Sequence, residues 1–84
     1  MQPEDIRKRL HTRPFQPFRI FLSDGASYDV RHPELLLLGH RSMVLGFGRQ
    51  PEDTLYVRSM DIDLLHVVRM EPIETPVSGG NGTG

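Results

Sequence analysis

Apolar and polar residues alternate most strictly between Phe18 and Arg31. Phe18, Ile20 and Leu22 recur with period two, as do Ala26, Tyr28 and Val30 beyond Ser23-Asp24-Gly25. Two such runs around a glycine-containing turn predict a β-hairpin. Its register follows from the requirement that apolar residues share a face. A two-residue Asp24-Gly25 turn would pair Ser23 with Ala26 and Ile20 with Asp29, which mixes apolar and polar side chains on both faces. A three-residue loop, Ser23 to Gly25, pairs Leu22 with Ala26, Ile20 with Tyr28 and Phe18 with Val30. It also puts Gly25 at the left-handed position that such a loop needs, where the missing Cβ removes the steric penalty. A slip of one residue would turn every side chain to the other face, so the three-residue loop is predicted. The opposite face then carries Arg19 across from Asp29, an attractive pair, and Phe21 beside Ser27.

Elsewhere the pattern is shorter. Pro3-Glu4-Asp5 opens a helix of about residues 3–12, with proline tolerated in the first turn and acids at the positive end of the dipole. Ile6 and Leu10 lie on one face, and Arg7, Lys8, Arg9 and His11 follow towards the C-terminal end. Pro14 disfavours helical geometry at Arg13 and ends the helix. Two turns are unstable alone in water, so Ile6 and Leu10 must pack on the rest of the chain or on a partner. Phe15 and Phe18, in an extended lead-in, are expected as core plugs. Leu35 to His40 reads as a strand buried on both faces, with a one-turn helix from Pro33 as the alternative. Met43 to Phe47 and Thr54 to Met60 read as strands. Asp61 to Asp63 reads as a connector, with a single 3₁₀ turn at Leu64-Leu65, and His66 to Glu71 as the last strand, closed by Pro72. From Pro76 the chain is Ser, Gly, Asn and Thr, a composition that predicts a disordered tail over 76–84.

The expectation is therefore a mainly-β domain over residues 1–75. A short N-terminal helix precedes a small, strongly bent antiparallel sheet of five to six strands, or a barrel. With 84 residues, such a domain buries only about 60–65% of its unfolded surface, so self-association would be a natural supplement. The chain has no cysteine, which excludes disulfides and thiolate chemistry. No apolar run reaches the ~20 residues that a spanning helix needs, and Ile6 sits among charges rather than in a signal sequence. A cytoplasmic protein is expected, with no membrane contact. Charge is uneven. Arg7, Lys8, Arg9 and Arg13 outweigh Glu4 and Asp5 at the start. Beyond residue 48 the acids Glu52, Asp53, Asp61, Asp63, Glu71 and Glu74 outweigh Arg49, Arg58 and Arg69. The near balance overall argues against strong electrostatic binding of nucleic acid, while the asymmetry permits head-to-tail contact.

Arg13-Pro14-Phe15-Gln16-Pro17-Phe18, then Leu22-Ser23-Asp24-Gly25, then Val30-Arg31-His32-Pro33-Glu34, together resemble an uncharacterised family of small bacterial proteins abundant in planctomycetes. That family's late segment is an aspartate, two leucines and a hydrophobic strand. It is similar to Asp63-Leu64-Leu65-His66-Val67-Val68-Arg69-Met70-Glu71. The resemblance covers residues 4–73 in outline and carries no established activity. The layout is also similar, more distantly, to Sm-like and SH3-like barrels. In the bacterial Sm-like RNA chaperone a Tyr-Lys-His motif helps line an RNA pore. The nearest text here is Leu64-Leu65-His66, so His66 alone carries over, and the likeness is one of layout.

No constellation for catalysis emerges. His11, His32, His40 and His66 lack the spacing of a metal site and have no cysteine partner, and Asp61 with Asp63 lacks the further oxygens and turn glycine of a calcium loop. No metal, cofactor or enzymatic activity is expected. Two functions remain. The first is a non-enzymatic interaction module acting by protein–protein contact or homo-oligomerisation, with Phe21 as its apolar contact and Arg19 and Asp29 at the rim. The alternative is an Sm-like binder of RNA using Arg7, Lys8, Arg9, Arg13 and His66, with Phe15 or Phe21 to stack on bases.

Overall fold

A computed structural model describes residues 1–73, so the tail expected at 76–84 lies outside the described residues. Strand β1 (Phe18–Leu22) pairs antiparallel with β2 (Ser27–Val30), with Phe18 opposite Val30, Arg19 opposite Asp29 and Ile20 opposite Tyr28. The Leu22 amide donates to the Ala26 carbonyl at 2.8 Å, and Gly25 has φ +91°. The three-residue loop is therefore the one present. The Asp24 carboxylate tightens it by accepting the Ala26 N–H at 2.9 Å.

The helix α1 (Pro3–His11) follows its sequence signals. Ile6 is fully buried and Leu10 nearly so. Its free C-terminal carbonyls find side-chain donors: Thr12 Oγ1 donates to the Lys8 carbonyl at 2.7 Å, and Arg13 to the carbonyls of Leu10 and Thr12 at 2.8 and 2.9 Å. Orphan groups at a helix end need such partners.

Among the described residues six strands form two three-stranded antiparallel sheets. The first has the order β2-β1-β6, with β6 at Val67–Pro72. The second has the order β3-β4-β5, with β3 at Leu36–Leu38, β4 at Ser42–Phe47 and β5 at Arg58–Asp63. A 3₁₀ turn at Pro33–Leu35 separates β2 from β3, and another at Leu64–His66 separates β5 from β6. Phe18, Ile20, Val30 and Val67 from the first sheet meet Leu36, Met43, Leu45 and Ile62 from the second, with Ile6 and Leu10 of α1 over them. Phe15 packs edge-on against Phe18, with ring centroids 6.2 Å apart.

Several expectations need correction. The sheets do not close into a barrel. Closure needs strands that continue from one sheet into the other, and both corners are broken by 3₁₀ turns, the first opened by Pro33, which has no backbone donor. The Leu35–His40 strand is shorter than expected and is not buried on both faces: Leu36 is buried, while Leu37 is 72% exposed. Residues 54–57 are loop rather than strand, and β5 instead runs on through Asp61 to Asp63. Asp63 ends it by capping the second 3₁₀ turn, accepting the Leu65 N–H at 2.9 Å.

Candidate interaction surface

Register fixes what faces outward on the second sheet. Leu36 pairs with Leu45 and Met43 with Ile62, and these four point into the core. The intervening positions, Leu37, Val44 and Asp61, stand side by side on the other face. Among the described residues nothing covers Leu37. Gly46 follows on the same face, and a Cβ there would lie 3.0 Å from Tyr56 Cβ and 3.4 Å from Leu35 Cδ2. The bare glycine lets the Tyr56 side chain lie across β4. Leu35, Leu37, Val44 and Tyr56 thus surround a shallow hollow of about 300 Å³, with Glu34 and Ser59 at its edge. Tyr56 is 61% exposed, and its chain neighbours Leu55 and Val57 are also exposed.

The loop that presents Tyr56 is held by polar contacts. The Asp53 carboxylate accepts the Leu55 and Arg49 N–H groups at 3.1 and 3.4 Å, and Val57 N–H reaches the Phe47 carbonyl at 2.9 Å. His32 Nε2 donates to the Pro51 carbonyl at 2.8 Å. Contiguous exposed apolar side chains of this kind mark contact surfaces, whereas scattered ones do not.

The outer face of the first sheet is charged instead. Arg19 Nε lies 2.6 Å from Asp29 Oδ1, and Arg31 lies 3.2 Å from Asp29 Oδ2. The hydrogen bond from Arg19 holds the Asp29 carboxyl below its ordinary range, and the same bond raises Arg19. On the far side, Arg69 pairs with Glu71 at 2.8 Å. The Arg69 guanidinium also sits 3.8 Å above the centre of the Phe21 ring, a cation–π arrangement. Phe21 is half-buried, roofed by a neighbouring strand rather than by α1. The structure therefore brings Phe21, Arg19 and Asp29 onto one face, as the register requires, and fills that face with ion pairs.

The basic residues are dispersed in role. Arg7 lies 3.6 Å from Glu4, Arg9 sits 5.6 Å from the centre of the Phe18 ring, and Arg13 caps the helix. Lys8 is exposed on α1. His66 belongs to the second 3₁₀ turn, where its Nδ1 lies 3.2 Å from Ser23 Oγ. Among the described residues no group of three His, Asp or Glu side chains converges as a metal site would require, and no helix is long and apolar enough to cross a membrane. Comparison with protein-family models, with curated proteins and with solved structures found no match.

Sequence reasoning missed the Leu37–Tyr56 surface. Its signals were present as two apolar runs, but Leu35 to Leu38 read locally as buried strand and Leu55 to Val57 as part of a strand over Thr54 to Met60.

Proposed function

We propose that the chain is a non-enzymatic interaction module that self-associates through the outer face of its second sheet. The observation that carries this reading is the exposure of Leu37 and Tyr56, side by side with Val44 and Leu35 around Gly46. Burial of such a surface against a second copy would stabilise both by removing apolar area from water, at roughly 25 cal/mol per Å² before association costs. The charged face over Phe21 suits a solvated surface better, because its ion pairs already satisfy one another.

Size-exclusion chromatography with light scattering tests the reading. The average mass of the native chain should rise with concentration, and the Leu37→Asp, Tyr56→Asp double variant should keep the monomer mass. A strict monomer at ~1 mM, where a contact worth about 4 kcal/mol would already half assemble, sinks self-association. RNA binding draws less support, since its residues do not share one surface feature: Arg7 and Arg13 line a groove beside α1, Arg9 lies over the Phe18 ring, and His66 belongs to the second 3₁₀ turn beside Ser23. A shift of single-stranded RNA that weakens steeply with salt would favour that alternative.

A further inference from the structure

A second feature lies beside that face. A groove of about 850 Å³ runs between α1 and β3. Leu10, Phe15, Leu36 and Leu38 give it apolar walls. Arg7, His11, Arg13 and His40 line it as well, with Glu34 as the one acid. Nitrogen bases and cations thus dominate its polar lining.

The strand beside it is unpaired on that edge. Among the described residues β3 has β4 as its single neighbour in the sheet. Gly39 N–H donates to the Ser42 carbonyl at 2.8 Å, which makes Gly39 and Ser42 a hydrogen-bonded pair. In an antiparallel ladder such pairs alternate with non-bonded ones. With Leu38 opposite Met43, Leu37 opposite Val44 and Leu36 opposite Leu45, Leu37 directs its backbone groups at β4. Leu36 and Leu38 direct theirs away from it. The Leu36 N–H is taken by the Pro33 carbonyl. The Leu36 carbonyl and both backbone groups of Leu38 remain on the open edge, and no turn, loop or cap hydrogen bond among the described residues uses them.

The geometry points to this groove as a docking site for an extended, acidic segment of another protein, added as a strand beside β3. Backbone pairing at an open edge gives affinity without sequence preference, and pockets for alternate side chains supply selectivity. Here the side chains that the added strand turns towards α1 meet Leu10, Phe15 and Leu38, with Arg7, Arg13 and His40 in the same lining to hold carboxylates. A strand of three residues offers few hydrogen bonds, so the charge match decides which peptides bind. A second copy docking β3 against β3 is disfavoured, because it would bring two cationic linings together. The groove adjoins the Leu37–Tyr56 hollow at Glu34, but it uses the edge of β3 rather than its outer face, and different variants test the two.

The test is fluorescence anisotropy with the full chain and labelled heptapeptides. The alternating peptide Glu-Val-Glu-Val-Glu-Val-Glu should bind, and its lysine counterpart should bind at least tenfold more weakly. The Arg7→Glu, His40→Glu double variant should weaken the acidic peptide at least tenfold. Both positions are exposed, and a circular dichroism spectrum checks that the variant folds. A second series needs no variant: N-methylation at every other peptide residue should abolish binding in one phase and spare it in the other, because only alternate amides face β3. Three peptide outcomes would overturn the proposal. They are no binding at ~1 mM, equal binding of acidic and lysine peptides, and equal tolerance of both N-methylated series. A single-stranded heptanucleotide that binds as tightly as the acidic peptide would also overturn it, by reassigning the groove to polyanions in general.

Discussion

Gly25 is the position where backbone conformation, rather than packing, dictates the residue. Its φ of +91° lies in the region that side chains with a Cβ avoid, and no atom stands within 4 Å of where that Cβ would go. The cost of Gly25→Ala is therefore conformational alone, about 1 kcal/mol, and should appear as a lower urea midpoint with an unchanged slope. Asp29 is one residue through which acid acts on the fold. Its carboxyl is held below its ordinary value by the hydrogen bond from Arg19. A carboxyl with a depressed folded-state pKa adds stability above its unfolded value of about 3.9. That contribution disappears as pH falls through the lower folded value. Asp29→Asn should thus be less stable than the native chain at pH 7, with the gap closing towards pH 2. Urea titrations at the two pH values measure it, and a gap that persists at pH 2 would assign the effect to packing instead.

At the scale of elements, α1 depends on the sheets more than on itself. Nine residues are too few for a lasting helix in water, and Ile6, with no exposed surface, is its anchor. Ile6→Ala should cost about 2–4 kcal/mol, a large share of the roughly 4–12 kcal/mol available to a chain of this length. Thermal denaturation should show a marked fall in midpoint, and a change within ~0.5 kcal/mol would mean that α1 is dispensable to the core. The hairpin and α1 were legible in the sequence because their signals are local: period-two alternation with one acceptable register, and a helix with a proline start and a proline stop. Leu37 and Leu55 to Val57 were not legible. An apolar run records that a segment favours strand or burial, but not which side of a sheet lacks a covering layer. That depends on where α1 and the first sheet come to lie. The same limit hid the fate of Phe21, whose cover is the guanidinium of Arg69, a residue distant in sequence and adjacent only after β1 and β6 pair.

For the whole molecule, the 3₁₀ turns at the two corners decide the architecture. They let two short sheets share one core while leaving each with two open edges. One of these edges borders the cationic groove, and the apolar outer face of the same sheet is a separate surface. A closed barrel would have no such edges to offer. The pairing of β1 with β6 has a further consequence, for the order in which the chain assembles. β1–β2 and β3–β4–β5 join neighbours in sequence, and their loops close at little entropic cost. β1 meets β6 only when Phe18–Leu22 finds Val67–Pro72, across all of β2 to β5. During synthesis the first hairpin must wait, its inner edge unpaired and Phe21 bare, until the last strand has emerged. Arg69 then arrives with β6, and its guanidinium closes over a ring that the first hairpin alone leaves uncovered.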